Sequence, residues 1–218
     1  METKSESSRI TEKRNTASMK IDKMNTKEIL QLINKEDRGV ADAVEDELPQ
    51  INKVIDEIVA RMKKGGRLFY VGAGTSGRLG VLDAVECVPT FSVEPDKVIG
   101  ILAGGEKAMF KAQENIEDNM ELGAKAIENY EVKENDSVIG VAASGKTPYV
   151  IGAVREAGKR GAFTAALVCA KNSKLAQNTE LSMTPIVGPE VITGSTRMKA
   201  GTAQKMILNM ISTTAMIK

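Results

Sequence analysis

Apolar residues recur with helical spacing early in the chain and switch to short β-rich runs after residue 66. Asn25 followed by Glu28 has the spacing of a capping box, and Ile29, Leu30 and Ile33 follow on one helical face. Val40, Val44, Leu48, Ile51, Ile55 and Ile58 recur at steps of three and four. That rhythm predicts one further helix, kinked at Pro49 and stopped at Gly65-Gly66. The first 25 residues carry no such rhythm and read as an irregular arm.

From residue 68 the pattern alternates. Strands are predicted at 68–71, 98–102, 138–142, 163–169 and 183–187, with helical patterns between them at 79–88, 108–127 and 149–159. Most of the strand runs are apolar throughout, as strands buried on both faces should be. Strand, helix, strand at this spacing predicts an α/β fold: a doubly wound, five-stranded parallel sheet of flavodoxin-like kind, preceded by an N-terminal helical arm. The expected division is an arm with helices over 1–60 and the α/β domain over 61–218. A last helix is expected over 196–218, its stripe of Met206, Ile207, Met210, Ile211, Thr214 and Ile217 facing something apolar.

Composition narrows the function. The chain has 218 residues, 30 Lys plus Arg against 29 Asp plus Glu, and 3% aromatics. A net charge of +1 leaves no basic footprint for nucleic acid or an anionic membrane, and few rings on which bases could stack. No apolar run reaches membrane-span length and no signal-peptide pattern opens the chain, so a cytoplasmic protein is expected. Cys87 and Cys169 are far apart and read as buried thiols. There is no histidine. This excludes Ser-His-Asp and Cys-His triads and His-ligated metals, so an enzyme of this sequence must use carboxylates, Lys, Tyr or Cys. Neither a cofactor nor a metal is expected.

Two loops at predicted strand ends invite familiar readings. Gly72-Ala-Gly-Thr-Ser-Gly77 matches G-x-G-x-x-G, but the next strand runs into Ala103-Gly104-Gly105 rather than the acidic residue a dinucleotide ribose needs. Gly140 to Thr147 matches G-x-x-x-x-G-K-T, but no neighbouring strand ends in an Asp to organise magnesium. What the loops share is glycines and hydroxyls at helix starts: Thr75 and Ser76 in one, Ser144 and Thr147 in the other. Those hydroxyls either cap their helices or, with the open amides, hold a common anion; two such loops on neighbouring strands favour the anion. A third segment, Gly194-Ser195-Thr196-Arg197-Met198-Lys199, either closes its cations over the same anion or forms an ordinary capped, solvated turn.

At these residues the chain resembles a known family. Paired Ser/Thr-Gly loops on a five-stranded parallel sheet are similar to the sugar isomerase (SIS) domain. The longer strings GAGTSGRLGVLDAVECVP from Gly72, SGKTPY from Ser144 and VGPEVITGSTRMKAGTAQKMIL from Val187 resemble the N-acetylmuramic acid 6-phosphate etherases, and so do TEKRNTASMKID and INKED near the start. The resemblance implies a lyase that releases D-lactate from N-acetylmuramic acid 6-phosphate and leaves N-acetylglucosamine 6-phosphate, by elimination and then addition of water, in cell-wall recycling. It also implies a homodimer. It assigns the catalytic carboxylates to Glu86 and Glu117, and the phosphate-binding hydroxyls to Ser144 and Thr147, with Thr75 and Ser76 beside the sugar; Ser195 of the third segment is expected to bind substrate as well. The glucokinase regulatory protein, which binds fructose phosphates without catalysis, is the next resemblance. A non-catalytic sugar-phosphate module and an aldose–ketose phosphate isomerase are therefore the alternatives.

Chemistry agrees with the assignment. Elimination needs a base for the carbon 2 proton and an acid for the departing ether oxygen, and two carboxylates in different surroundings can divide those roles. The chain departs from the family at Val88, where a second Pro is usual, at Lys146, where Arg is usual, and in the string QENIED around Glu117. Lys keeps the charge but not the planar fork. The family also continues with further helices beyond the position of Lys218. Glu86 lies ten residues past Ser76, roughly 15 Å along a continuous helix at ~1.5 Å per residue. A hexose phosphate held at Ser76 does not easily span that distance.

Overall fold

The computed structural model describes residues 10–111, 113 and 115–218. Among them, β1 (Leu68–Gly72), β2 (Val98–Leu102), β3 (Ser137–Val141), β4 (Phe163–Leu167) and β5 (Leu181–Met183) form one parallel sheet in the order β2-β1-β3-β4-β5. The helices are α1 (Thr26–Asp37), α2 (Gly39–Glu45), α3 (Leu48–Met62), α4 (Gly74–Phe91), α5 (Lys107–Phe110), α6 (Met120–Asn129), α7 (Pro148–Lys159) and α8 (Lys199–Ile217). Gly72 pairs with Leu102 and with Val141, and Val141 with Leu167, so the carboxyl ends of the four longer strands are level. The chain leaves β1 toward β2 and returns to β3 on the other side. The loops after β1 and β3 therefore diverge over adjacent strands, the switch point where ligands bind in open α/β sheets.

Alternation along the strands builds a core on each face. Leu68 and Tyr70 of β1, Ile139 and Val141 of β3, and Phe163, Ala165 and Leu167 of β4 pack with α2, α3, α4 and α8. Phe69, Val71, Val138 and Ala166 face the opposite side and pack with Ile127 of α6 and with Tyr149, Val150 and Val154 of α7. Each fully buried aliphatic or Phe side chain contributes roughly 1.5–3 kcal/mol. Val40, Val44, Ile51 and Ile58 lie in the same cluster as Tyr70, Ile139 and Ile207, so the early helices share the core of the sheet.

The doubly wound sheet, the capping box of Asn25 with Glu28 and the irregular arm follow the sequence reading; in residues 10–24 the arm is a chain of short 3-10 turns, and residues 1–9 lie outside the described part. Four expected elements differ. The predicted helix through Val40 and Ile58 is two, α2 and α3, because Pro49 in a continuous helix would clash with the carbonyl four residues back; Pro49 instead occupies the first turn of α3, where its missing N–H costs nothing. The predicted helix over 108–127 is interrupted. Asn115 is left-handed (φ 68), and Asn119 caps a new start at α6 by accepting the Leu122 amide at 3.0 Å. Strand five is Leu181–Met183 rather than 183–187, since Pro185 has no N–H for a ladder. The last helix opens at Lys199, three residues later than expected.

Its apolar stripe does face a core. Ile207 and Ile211 are fully buried and Met206 and Met210 partly so, against α2, α3 and α4, whereas Ile217 is exposed.

Helices α6 and α7 meet at backbone distance. A Cβ on Gly123 would lie 1.8 Å from the Tyr149 carbonyl oxygen, and one on Gly152 would lie 2.0 Å from that of Met120. Only glycine permits this approach. It presses the segment that precedes α6, which carries Glu117, against the start of α7.

Candidate active site

The loop after β1 enters α4 with Ala73 at the N-cap, a residue with no side chain to offer the first-turn amides. The loop after β3 enters α7 with Thr147 at the N-cap, and the Thr147 hydroxyl makes no capping bond either. Ser144 accepts the Lys146 amide at 3.3 Å and keeps its own hydroxyl proton for a ligand. The start of α4 therefore points uncapped amides over the crevice at the switch point, a natural seat for an anion, while the start of α7, where Pro148 has no N–H and the Tyr149 amide is taken by the Glu117 carbonyl, adds the hydroxyls of Ser144 and Thr147. Helices α6 and α8 differ: the Asn119 side-chain Oδ1 caps α6, and both carboxylate oxygens of Glu190 accept amides of α8, from Lys199 and Ala200, each at 3.0 Å.

Beside these loops is a cavity of about 410 Å³, lined by Ala73, Gly74, Arg78, Ala103, Glu117 and Asp118 among others. Glu117 is exposed on a turn, and its carbonyl accepts the Tyr149 amide at 3.0 Å. The cavity thus brings the Gly74 loop and Glu117 to one place, and the Tyr149 bond ties Glu117 to the start of α7; Ser144 and Thr147 do not line it. A larger recess, about 580 Å³, lies toward the β5 edge among Asp46, Glu47, Lys171 and Ser182; none of the expected site residues lines it.

The remaining expected residues are placed differently. Thr75 is half-buried in the first turn of α4, its methyl group toward Gly201 of α8. Ser76 turns inward: it is 9% exposed, and its hydroxyl donates to Gln204 Oε1 at 2.9 Å. Ser195 is half-buried in the turn that leads into α8, its amide donating to the Ile192 carbonyl at 2.9 Å. Glu86 is not in the cavity. It lies on the exposed face of α4, which is one continuous helix from Gly74 to Phe91, between exposed Leu82 and Val85 and the exposed Pro89.

Searches among known proteins place this geometry in context. The chain matches the glucokinase regulatory protein N-terminal SIS domain over residues 50–157 and the SIS domain over residues 105–213. It is 55% identical over 208 residues to the N-acetylmuramic acid 6-phosphate etherase of Clostridium beijerinckii, covering 95% of this chain and 68% of that protein. It is 57% identical over 209 residues to the etherase of Caldanaerobacter subterraneus, with 96% and 68% covered. The chain belongs to the N-acetylmuramic acid 6-phosphate etherase family. In fold it is similar to a phosphoheptose isomerase from Francisella tularensis, with a TM-score of 0.68 at 18% identity over 89% of this chain and 100% of that one.

Within this member of the etherase family, the segment 194–199 does not bring both of its cations to the ligand. Lys199 is 4% exposed, and its ammonium donates to Glu36 at 2.7 Å. Asn15 of the arm donates to the same carboxylate at 2.7 Å, which ties arm, α1 and α8 together. Burial pushes the Glu36 carboxyl up, but the hydrogen bonds from Lys199 and Asn15 and the Lys199 charge outweigh it and hold the group below the usual range. With Glu190 on its amides, the start of α8 already has its negative charge; Arg197 alone of the two cations is exposed.

Both thiols are buried, as expected, and burial pushes Cys87 up to about 11 and Cys169 up to about 12, which removes them as nucleophiles at neutral pH. None of the described helices is long and apolar enough to cross a membrane.

Three residues of the site were not singled out from sequence: Arg78 on the cavity wall, Gln204 behind Ser76, and Glu190 on α8. Gln204 left a signal, a polar residue on the stripe between Ala200 and Ile207. Glu190 left none, since nothing in its spacing says which helix it caps.

Proposed function

We propose that the protein cleaves the D-lactyl ether of N-acetylmuramic acid 6-phosphate, giving N-acetylglucosamine 6-phosphate and D-lactate. The observation that carries this reading is that Glu117 and the Gly74 loop line one cavity, with the Glu117 carbonyl bonded to the start of α7, in a chain more than half identical to etherases along nearly its whole length. The phosphate suits the Ser144–Thr147 loop, where hydroxyls and amides supply donors, with Thr75 and Ser195 toward the sugar. Ser76, turned inward, supports the loop through Gln204.

Glu117 serves as the base in the open-chain sugar. It takes the proton on carbon 2, which the neighbouring aldehyde acidifies. The electron pair forms a double bond between carbons 2 and 3 as the carbon–oxygen bond to the lactyl group breaks. Glu86 protonates that departing oxygen. Water then adds at carbon 3, and a proton returns to carbon 2, so substrate and one water balance the two products.

Glu86 cannot reach the Glu117 cavity of its own chain from the fourth turn of α4 unless the substrate bridges them. We therefore assign Glu86 to a neighbouring site across a homodimer in the cytoplasm. Leu82, 44% exposed, and Val85, 60% exposed, give the surrounding face the apolar character of a subunit contact.

The test is incubation with N-acetylmuramic acid 6-phosphate and assay for D-lactate. Release of lactate matching loss of substrate is expected. Tight binding with no lactate would make the chain a sugar-phosphate module instead.

A further inference from the structure

The substrate in that reading carries two anions at opposite ends of the sugar: the phosphate on carbon 6 and the lactyl carboxylate beside the ether bond that breaks. The helix starts and hydroxyls account for one. The second must be held near Glu117, where the proton next to that bond is removed. That wall of the cavity holds Glu117 and Asp118, whose charges would repel an incoming carboxylate. Among the described residues that line it, Arg78 is the one cation.

Arg78 is half-buried in the second turn of α4, and its guanidinium is fixed. Nε donates to the carbonyls of Ala108 at 3.0 Å and Met109 at 3.1 Å, and Nη2 donates to Ala108 at 2.6 Å. Among the described residues these bonds use Nε–H and one Nη2–H, so Nη1 and the second Nη2 hydrogen form the edge left for a ligand. A guanidinium held flat by two carbonyls loses little freedom when it takes a carboxylate, and its fork matches the two oxygens. The positive end of α4 adds to its charge.

We propose that Arg78 binds the carboxylate of the lactyl group and sets the preference of the site for an ether-linked acid over neutral ethers of the same sugar phosphate. This rests on the etherase reading above. The bonds to Ala108 and Met109 also give Arg78 a part in holding the β2–α5 turn, so the experiment must separate the two roles.

A preference ratio does so, because any general loss of positioning divides out. We would measure kcat/KM for D-lactate release from N-acetylmuramic acid 6-phosphate, and for lactamide release from the analogue in which a carboxamide replaces the carboxylate. Wild type should prefer the acid by on the order of 30-fold, the size of a charge-assisted hydrogen-bonded pair. In Arg78→Met the ratio should fall to within about threefold of unity, and Arg78→Lys, which keeps a charge without the fork, should lie between. The lysine variant gives the answer should the methionine variant not fold. A wild-type-sized preference in either variant, or equal loss on both substrates with the ratio intact, overturns the proposal and leaves Arg78 a support of the turn. No preference in wild type overturns it as well. Wild type that cleaves neither compound overturns the etherase reading itself.

Discussion

The amide of Tyr149 donates to the carbonyl of Glu117 at 3.0 Å, which fixes the proposed base to the start of the helix whose loop is proposed to hold the phosphate. The α6–α7 contact at Gly123 and Gly152 falls on the same residue, since the Cβ missing from Gly123 would meet the Tyr149 carbonyl, so the packing of these helices sets the distance between base and loop.

Gly123→Ala tests that dependence. Its Cβ would lie 1.8 Å from the Tyr149 carbonyl oxygen, a backbone atom that cannot swing away. Separation of the helices should cost about 2 kcal/mol of stability and at least ~10-fold in kcat/KM, since an error of about 1 Å in a reacting geometry is costly. Gly39→Ala is the control: nothing lies within 4 Å of its added Cβ, and both stability and turnover should hold. Thermal melting and steady-state kinetics on the two variants decide the matter, and equal behaviour would refute the coupling.

Ser144→Ala and Thr147→Val should weaken binding of the sugar phosphate. The phosphate on carbon 6 is remote from the breaking bond, so each variant should raise KM by about tenfold, the worth of one hydrogen bond to a charged group, with kcat changed far less. Since the Thr147 hydroxyl caps nothing, Thr147→Val should also melt near wild type. A drop in kcat at constant KM would place the loop at the reacting centre.

Separate roles for the two carboxylates predict separate defects. Glu86→Gln should still exchange the carbon 2 proton with deuterium from solvent but release little lactate; Glu117→Gln should lose exchange as well. Because Glu86 stands outside the Glu117 cavity of its own chain, mixing the two inactive proteins should restore part of the activity through hybrid dimers that pair two wild-type carboxylates at one site. A verified hybrid with no activity would require both groups to act within one chain.

What could be read from the sequence was what short spacing determines. The capping box at Asn25 and Glu28, the alternation that sends Leu68 and Phe69 to opposite faces, and the glycine–hydroxyl loops at Thr75 and Ser144 are all local patterns, and each lies where expected. The interruption before α6 was local too, written in Asn115 and Asn119, but the apolar rhythm ran through it and hid the turn that exposes Glu117. Pairings between distant residues left almost no trace. Ser76 and Gln204 are 128 positions apart, and Lys199 and Glu36 are 163 apart; their meeting depends on how α8 crosses α4 and α1. This is why Lys199, read as a possible clamp on the ligand, proved to be a buried partner of Glu36. The choice of Glu86 and Glu117 among 29 acidic residues came from the family resemblance and not from their spacing.

A buried carboxylate away from the cavity gives the last prediction. Asp83 is 7% exposed between α4 and α8. Its Oδ1 accepts the Ser212 hydroxyl at 3.2 Å, while Oδ2 is buried with no partner among the described residues. Burial pushes the carboxyl above its ordinary range, against the opposing influence of the Ser212 and Tyr70 hydroxyls and the Lys205 charge. A raised value in the folded state means that the fold binds the proton more tightly than the unfolded chain does. The stability this contributes is complete below the ordinary aspartate value of about 3.9 and is lost as pH rises through the folded value. Once the group ionises, the fold carries a desolvated charge. Asp83→Asn keeps the acceptor for Ser212, removes the charge, and places an amide donor where Oδ2 lacked a partner, with the Tyr70 hydroxyl oxygen beside it to accept. The variant should match or trail wild type near pH 4 and exceed it at pH 7 by about 1 kcal/mol, the relief of one unsatisfied buried group. Urea unfolding of both proteins at intervals between pH 4 and pH 7 measures the difference. Curves that stay parallel across that range would mean that Asp83 holds the same proton occupancy folded and unfolded, and that the buried cluster carries no titrating charge.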